Sequence, residues 1–200
     1  MKKTGIMGGT FNPIHNGHLE LARKAKEQYA LNEVLFIPCG EPYMKAAQKV
    51  TPGKIRAAMT ALAIQDEPDF ILSMIEMEHQ GNTYTYETLE SLKRDHPDTE
   101  YYFILGADNL FQITKWVMPE RIFKNCCILA AVRDDKTVAD MEAQIACLWQ
   151  EYHAVIHLLK TDCIDISSSD IRRKVSQGES IEAYVPASVR KYIAEKGLYL

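Results

Sequence analysis

Short runs of consecutive apolar residues alternate along this chain with longer stretches whose apolar positions recur every three or four residues. The short runs are Thr4–Met7, Glu33–Ile37, Phe70–Ile75, Tyr101–Leu105, Cys126–Val132 and Ala154–Leu159. Their length and continuous apolarity predict strands buried on both faces. Between them, Leu19, Ala22, Ala25 and Tyr29 share one face of a helix, as do Ile55, Met59, Leu62 and Ala63, and again Leu89 and Leu92. A short helix through Leu110 and Ile113, a longer one over residues 137–151 and two closing helices near 168–176 and 186–196 complete the pattern. Thr83 or Thr85 is suited to cap the helix carrying Leu89, and Gly197 to end the last one. Strands alternating with helices predict an α/β fold: a parallel sheet of five to six strands with helices on both faces. Ligands of such sheets gather at the C-terminal strand ends. The Gly8 turn and the segments after Ile37, Leu105 and Val132 should therefore share one edge.

Composition narrows the function classes. The 200 residues, 46% apolar and 25% charged, suit one domain spanning 1–200 with a substantial core. A net charge of −4 makes nucleic acid a poor partner, so any phosphate binding must come from local geometry. No apolar run reaches membrane-spanning length, and no signal-type apolar region follows Lys2 and Lys3. A cytoplasmic protein without a membrane partner is expected. Cys39, Cys126, Cys127, Cys147 and Cys163 are odd in number and scattered, which suits buried, reduced thiols.

Two strings carry chemistry. Gly8-Gly9-Thr10-Phe11-Asn12-Pro13-Ile14-His15-Asn16-Gly17-His18 stands between the first strand and the first helix. Gly8 and Gly9 suit a sharp turn and close approach to a ligand, Pro13 stiffens the loop, and Gly17 lets the helix start close to another group. A helix start offers N–H groups and a positive dipole end to an anion. His15 and His18, three apart, can aim at the same anion. As a metal pair they would need further ligands, and none sits nearby in sequence. The second string is Ile166-Ser167-Ser168-Ser169-Asp170-Ile171-Arg172. Ser167 or Ser168 can cap a helix whose first turns are crowded by Arg172, Arg173 and Lys174. Cations oppose the dipole there unless an anion sits between. On spacing alone, an ordinary serine-capped surface helix fits this string as well.

Taken whole, the first string resembles the His-x-Gly-His signature of the nucleotidylyltransferase superfamily, and in particular that of bacterial nicotinate-nucleotide adenylyltransferases. The second resembles the family's Ile-Ser-Ser-Thr-x-Ile-Arg signature, with Ser169 in place of Thr. Asn12 stands where the family usually has Asp, and still suits a tight turn. The resemblance covers nearly the whole chain, including Tyr184-Val185-Pro186, Val189, Tyr192-Ile193 and Leu198-Tyr199 near its end.

The resemblance implies a Rossmann-like doubly wound fold. It also implies adenylyl transfer from ATP to nicotinate mononucleotide, giving nicotinate adenine dinucleotide and pyrophosphate in NAD biosynthesis. His15 and His18 would be catalytic. Gly8, Gly9, Thr10, Phe11, Gly17, Asp108, Ser168, Ser169 and Arg172 would bind ATP. Thr83-Tyr84-Thr85, Trp116 and Lys45 would bind nicotinate mononucleotide, with Trp116 stacked on the pyridine ring. Mg²⁺ would be held mainly by phosphate oxygens and water, with no dedicated protein cage. Lys45 lies in Pro42-Tyr43-Met44-Lys45, where the family often has Pro-x-His-Lys. Arg133 aligns with a family arginine normally followed by proline, but Asp134 follows here.

Other readings stay open. Phosphopantetheine adenylyltransferases share the His-x-Gly-His core, and the Thr83–Thr85 and Trp116 blocks argue against them. Class I aminoacyl-tRNA synthetases share the fold, but 200 residues leave no room for tRNA-binding domains. A non-catalytic dinucleotide-binding module would call for Gly-x-Gly-x-x-Gly, absent after the first strand. A homo-oligomer is compatible with the sequence.

Overall fold

β1 (Lys2–Gly9) forms the spine of a parallel sheet. It pairs with β2 (Glu33–Pro38) from Thr4↔Glu33 to Gly9↔Pro38, and with β4 (Thr99–Gly106) from Lys2↔Thr99 to Ile6↔Phe103. β3 (Phe70–Leu72) lies outside β2; β5 (Cys127–Ala131) and β6 (Ile156–Leu159) continue beyond β4. This computed structural model describes residues 1–40, 50–78, 81–132, 137–161 and 166–200. Among these the sheet has six strands in the order β3-β2-β1-β4-β5-β6, all parallel. This is the doubly wound order, in which the chain reverses direction across the sheet beside β1.

Strand alternation divides the core into two layers. Met7, Phe36, Tyr102, Ile104 and Leu129 face one side. There they meet α1 (Asn16–Tyr29), α2 (Gly53–Ile64), α7 (Ser168–Ser176) and α8 (Ala187–Glu195) through Leu19, Met59, Ile171 and Val189. Ile6, Ile37, Phe103, Leu105 and Ile128 face the other side. They meet α3 (Thr85–Asp95), α4 (Ala107–Gln112), α5 (Pro119–Asn125) and α6 (Val138–Tyr152) through Leu89, Leu110, Ile122 and Met141.

Several local expectations are corrected. The third strand stops at Leu72 rather than Ile75: Ser73 N–H still donates to the Phe36 carbonyl, then the chain turns back on itself at Met74–Met77. Cys126 ends α5 rather than starting a strand, its thiol donating to the Ile122 carbonyl. α5 itself carries too short an apolar pattern to be read from sequence. Tyr84, not a threonine, is the N-cap of α3, because the Thr83 hydroxyl is turned to Glu76 instead. Of the described cysteines only Cys126 is buried, where burial pushes its thiol pKa up; Cys39 and Cys127 are half-buried and Cys147 is exposed. Cys163 lies outside the described residues. Among the described residues, no helix is long and apolar enough to cross a membrane.

Candidate active site

A cleft of about 680 Å³ opens where β1, β2, β4 and β5 end. Gly8, Gly9, Thr10 and Phe11 form its floor beside Ile37, Leu105 and Ala131. Gly8 and Gly9 do not turn, as the sequence suggests they would. They continue β1, paired with Ile37 and Pro38. The sharp change of direction falls at Phe11, with φ 49°, ahead of a cis Asn12–Pro13 bond.

His15 and His18 both line the cleft. His15 is the N-cap of α1 and buried; His18 stands at the helix's third position, half-buried. Their rings lie 3.7 Å apart between centroids at 31°, and Phe11 meets His18 edge-on at 5.0 Å. The His15 backbone N–H donates to His18 Nδ1 at 3.3 Å. A ring that accepts at Nδ1 offers Nε2–H as its donor. Gly17 allows this packing, since a Cβ there would lie 3.1 Å from His15 Nδ1. Not every N–H at this helix start faces the cleft: Asn16 N–H donates to the Tyr184 carbonyl at 2.8 Å.

α7 brings the second string to the same place. Ser167 caps it, its hydroxyl accepting from Asp170 N–H at 3.0 Å. Ser168 Oγ donates to the Pro13 carbonyl at 2.9 Å, and Arg172 Nη1 to the Asn12 carbonyl at 2.8 Å. Arg172 Nη2 also reaches Ser169 Oγ at 3.2 Å. Ser168, Ser169 and Arg172 line the cleft with His18. Of the three cations expected to crowd the helix start, only Arg172 faces the cleft. Arg173 and Lys174 fall in the last turn, where the dipole favours them, and both pair with Glu179.

The opposite wall takes Asp108 and Trp116. Asp108 is the second residue of α4, behind the N-cap Gly106. Trp116 follows the 3₁₀ turn Ile113–Lys115, half-buried and edge-on to Phe103 at 6.2 Å. Thr83 and Thr85 also line the cleft. Tyr84 does not belong to that lining; its ring stacks on Tyr86 at 6.0 Å. Lys45 and Arg133 lie outside the described residues.

Two charged residues that sequence reasoning missed hold these loops together. Arg56, on α2, is 1% exposed. Its guanidinium donates to the carbonyls of Thr10 at 2.6 Å, Cys39 at 2.8 Å, and Thr51 and Gly40 at 2.9 Å. It thus ties the end of β1 to the end of β2. Glu76 lines the cleft and accepts from Thr83 Oγ1 at 3.0 Å and Thr88 Oγ1 at 2.9 Å, and from the Gly40 backbone. The Gly40 peptide therefore lies between guanidinium and carboxylate, and a Cβ there would run into the Glu76 carbonyl. Arg56 shares its stripe of α2 with Thr60 and Ala63, both buried. That i, i+4, i+7 spacing was the available signal. Glu76, one carboxylate among Met74, Ile75 and Met77, offered none.

Burial holds the Glu76 carboxyl above its ordinary value of 4.5, opposed by the hydrogen bonds from Thr88, Thr83 and Gly40 and by the Arg56 charge. A folded pKa above the unfolded one contributes stability below pH 4.5 that is lost as pH rises through the folded pKa. Glu76→Gln should flatten the pH dependence of stability from 4.5 upward. Urea midpoints across that window test it, and parallel curves for the two proteins would refute it.

Among the described residues, no three His, Cys, Asp or Glu side chains converge to hold a metal. Glu20, Glu76 and Asp108 line the cleft without forming such a group, and the Glu76 oxygens are engaged by threonines. This donor set fits a cation that arrives with its own phosphate ligands and water, with Asp108 as an outer partner.

Two helix starts at the strand ends of a doubly wound sheet thus meet across one cleft. The family profile described as Cytidylyltransferase-like matches residues 6–174. The chain is 45% identical over 200 residues to a probable nicotinate-nucleotide adenylyltransferase of Lachnoclostridium phytofermentans, covering all of both chains. It is 43% identical over 198 residues to one of Dehalococcoides mccartyi, covering 98% of this chain and 97% of that one. The chain belongs to the nicotinate-nucleotide adenylyltransferase family. Its fold is also that of the Plasmodium falciparum nicotinic acid mononucleotide adenylyltransferase complexed with NaAD. That match has a TM-score of 0.83 at 22% identity, over 100% of this chain and 98% of the other.

Proposed function

We propose that this chain joins the adenylyl group of ATP to the phosphate of nicotinate mononucleotide, releasing pyrophosphate, as a cytoplasmic step of NAD biosynthesis. One observation supports it above others: Ser168 and Arg172 of α7 hydrogen-bond the backbone of the loop that leads to His15 and His18. Two anion-binding elements, far apart in sequence, thus line one cleft suited to a triphosphate.

The roles combine the family resemblance with the residues that line the cleft, and that of Lys45 rests on the resemblance alone. Gly8, Gly9, Thr10 and Phe11 form a floor over which a nucleotide can lie close to the backbone. Gly17 opens the first turn of α1. Ser168, Ser169 and Arg172 bind the β- and γ-phosphates. His18 offers its Nε2–H to the bridging and α-phosphate oxygens, and His15, beside it in the cleft, contacts the α- and β-phosphates. Asp108 takes the ribose hydroxyls or the water shell of Mg²⁺. Thr83 and Thr85 face the nicotinate carboxylate, Trp116 offers a flat partner to the pyridine ring, and Lys45 binds the mononucleotide phosphate. Tyr84 contributes its backbone at the start of α3 rather than its ring. Mg²⁺, when bound with ATP, neutralises charge on the triphosphate oxygens.

The acceptor phosphate is already ionised at neutral pH, so no protein base or covalent nucleophile is required. Its oxygen attacks the α-phosphorus as the bond from that phosphorus to the β-bridging oxygen breaks. Catalysis then rests on holding the groups in line and stabilising charge on the departing pyrophosphate. The test is kcat/KM with nicotinate mononucleotide, nicotinamide mononucleotide and phosphopantetheine as acceptors. The expected order places nicotinate mononucleotide first. Equal values for the two pyridine acceptors would refute the pocket assignment, and preference for phosphopantetheine would refute the function.

A further inference from the structure

Leu198 and Tyr199 follow α8, and neither is used by the chemistry above. Gly197, at φ 56°, ends the helix, and Leu198 N–H donates back to the Ile193 carbonyl at 3.0 Å. Tyr199 then adopts φ 68°, a conformation uncommon for a side chain of its size, and packs half-buried against the α8 side of the core. Its hydroxyl donates to Asn12 Oδ1 at 2.9 Å, and the Thr51 side chain lies close to it. Arg172 and Arg56 both lie near enough to act on it electrostatically.

The chain end, the Asn12 loop and the start of α2 come together around this oxygen. Asn12, 5% exposed, belongs to the loop before His15, and its own carbonyl accepts from Arg172. Thr51 stands just before α2, and its carbonyl accepts from Arg56. The Asn12 amide Oδ1 accepts the phenol hydrogen bond while the backbone carbonyl of the same residue accepts from the guanidinium.

We propose that Tyr199 is a positioning residue for the triphosphate: its hydroxyl holds the Asn12 loop in register with α7 and α2, and so fixes the spacing between His18 and Arg172. The proposal rests on the function assigned above. It concerns the triphosphate end of the cleft alone, since the Thr83, Thr85 and Trp116 wall makes no contact with Asn12 or Tyr199 among the hydrogen bonds of the described residues.

Tyr199→Phe removes the hydroxyl and keeps the ring. Loss of this one bond should raise the KM for ATP, and the Kd of a non-hydrolysable ATP analogue, by about fivefold. The KM for nicotinate mononucleotide should stay within about twofold. A merely structural tyrosine would lower the melting temperature and leave both ATP constants unchanged, which would overturn the proposal. Asn12→Ala removes the acceptor from the other side, and Asn12→Ala/Tyr199→Phe closes a double-mutant cycle. The two changes delete one shared bond, so the double variant should lose no more analogue affinity than the weaker-binding single variant. Fully additive losses would also overturn it. Analogue binding is read without turnover. An inactive wild-type protein with an intact cycle would count against the assigned reaction and not against the role of Tyr199.

Discussion

Replacing His18 with alanine should lower kcat by about a hundredfold or more, the scale of losing one donor aimed at developing charge. The reason is geometric. The ring is held between Phe11 and His15, and the bond from His15 N–H to Nδ1 makes Nε2–H the donor. A donor so fixed needs no reorganisation as charge builds on the pyrophosphate. The fold should survive, because α1 is anchored by Leu19, Ala22 and Ala25 in the core and alanine suits a helix interior. The ATP KM should therefore change much less than kcat. Steady-state kinetics with a thermal melt on the same preparation test this. Turnover near that of wild type, from a folded variant, would remove His18 from the mechanism.

The second large effect concerns stability. Arg56→Met deletes a buried guanidinium that serves four carbonyls from three segments, and takes away a positive charge that acts on Glu76. Breaking a buried charge network by removing one partner costs about 3–5 kcal/mol. For a chain of this size that corresponds to a melting temperature lower by roughly 10 °C. Arg56→Lys keeps a charge but not the planar fork, so it should recover only part of the loss. A melting temperature for Arg56→Met within about 2 °C of wild type would show that the carbonyls find other donors.

The strands and their order of burial were legible because a strand covered on both faces leaves a continuous apolar run, as in Tyr101–Leu105. The two anion-binding strings were legible because their glycines, serines and histidines stand together in sequence. What eluded the sequence was what depends on distant partners. The turn belongs to Phe11 rather than Gly9, because Gly9 is claimed by pairing with Pro38. Arg173 and Lys174 read as cations crowding the start of α7 until they are seen to fall in its last turn and pair with Glu179. Arg56 draws its carbonyl partners from three segments that lie apart along the chain. Tyr199 carries no local signal, since its acceptor lies at Asn12, far away along the chain.

The most direct measurement uses ATP radiolabelled at the α-phosphorus, with nicotinate mononucleotide and Mg²⁺. The label should pass into a dinucleotide that forms one-for-one with pyrophosphate, and His18→Ala or Arg172→Ala should each suppress that transfer. Label left in ATP, or released as ADP with orthophosphate, would contradict a cleft built to hold one triphosphate between α1 and α7.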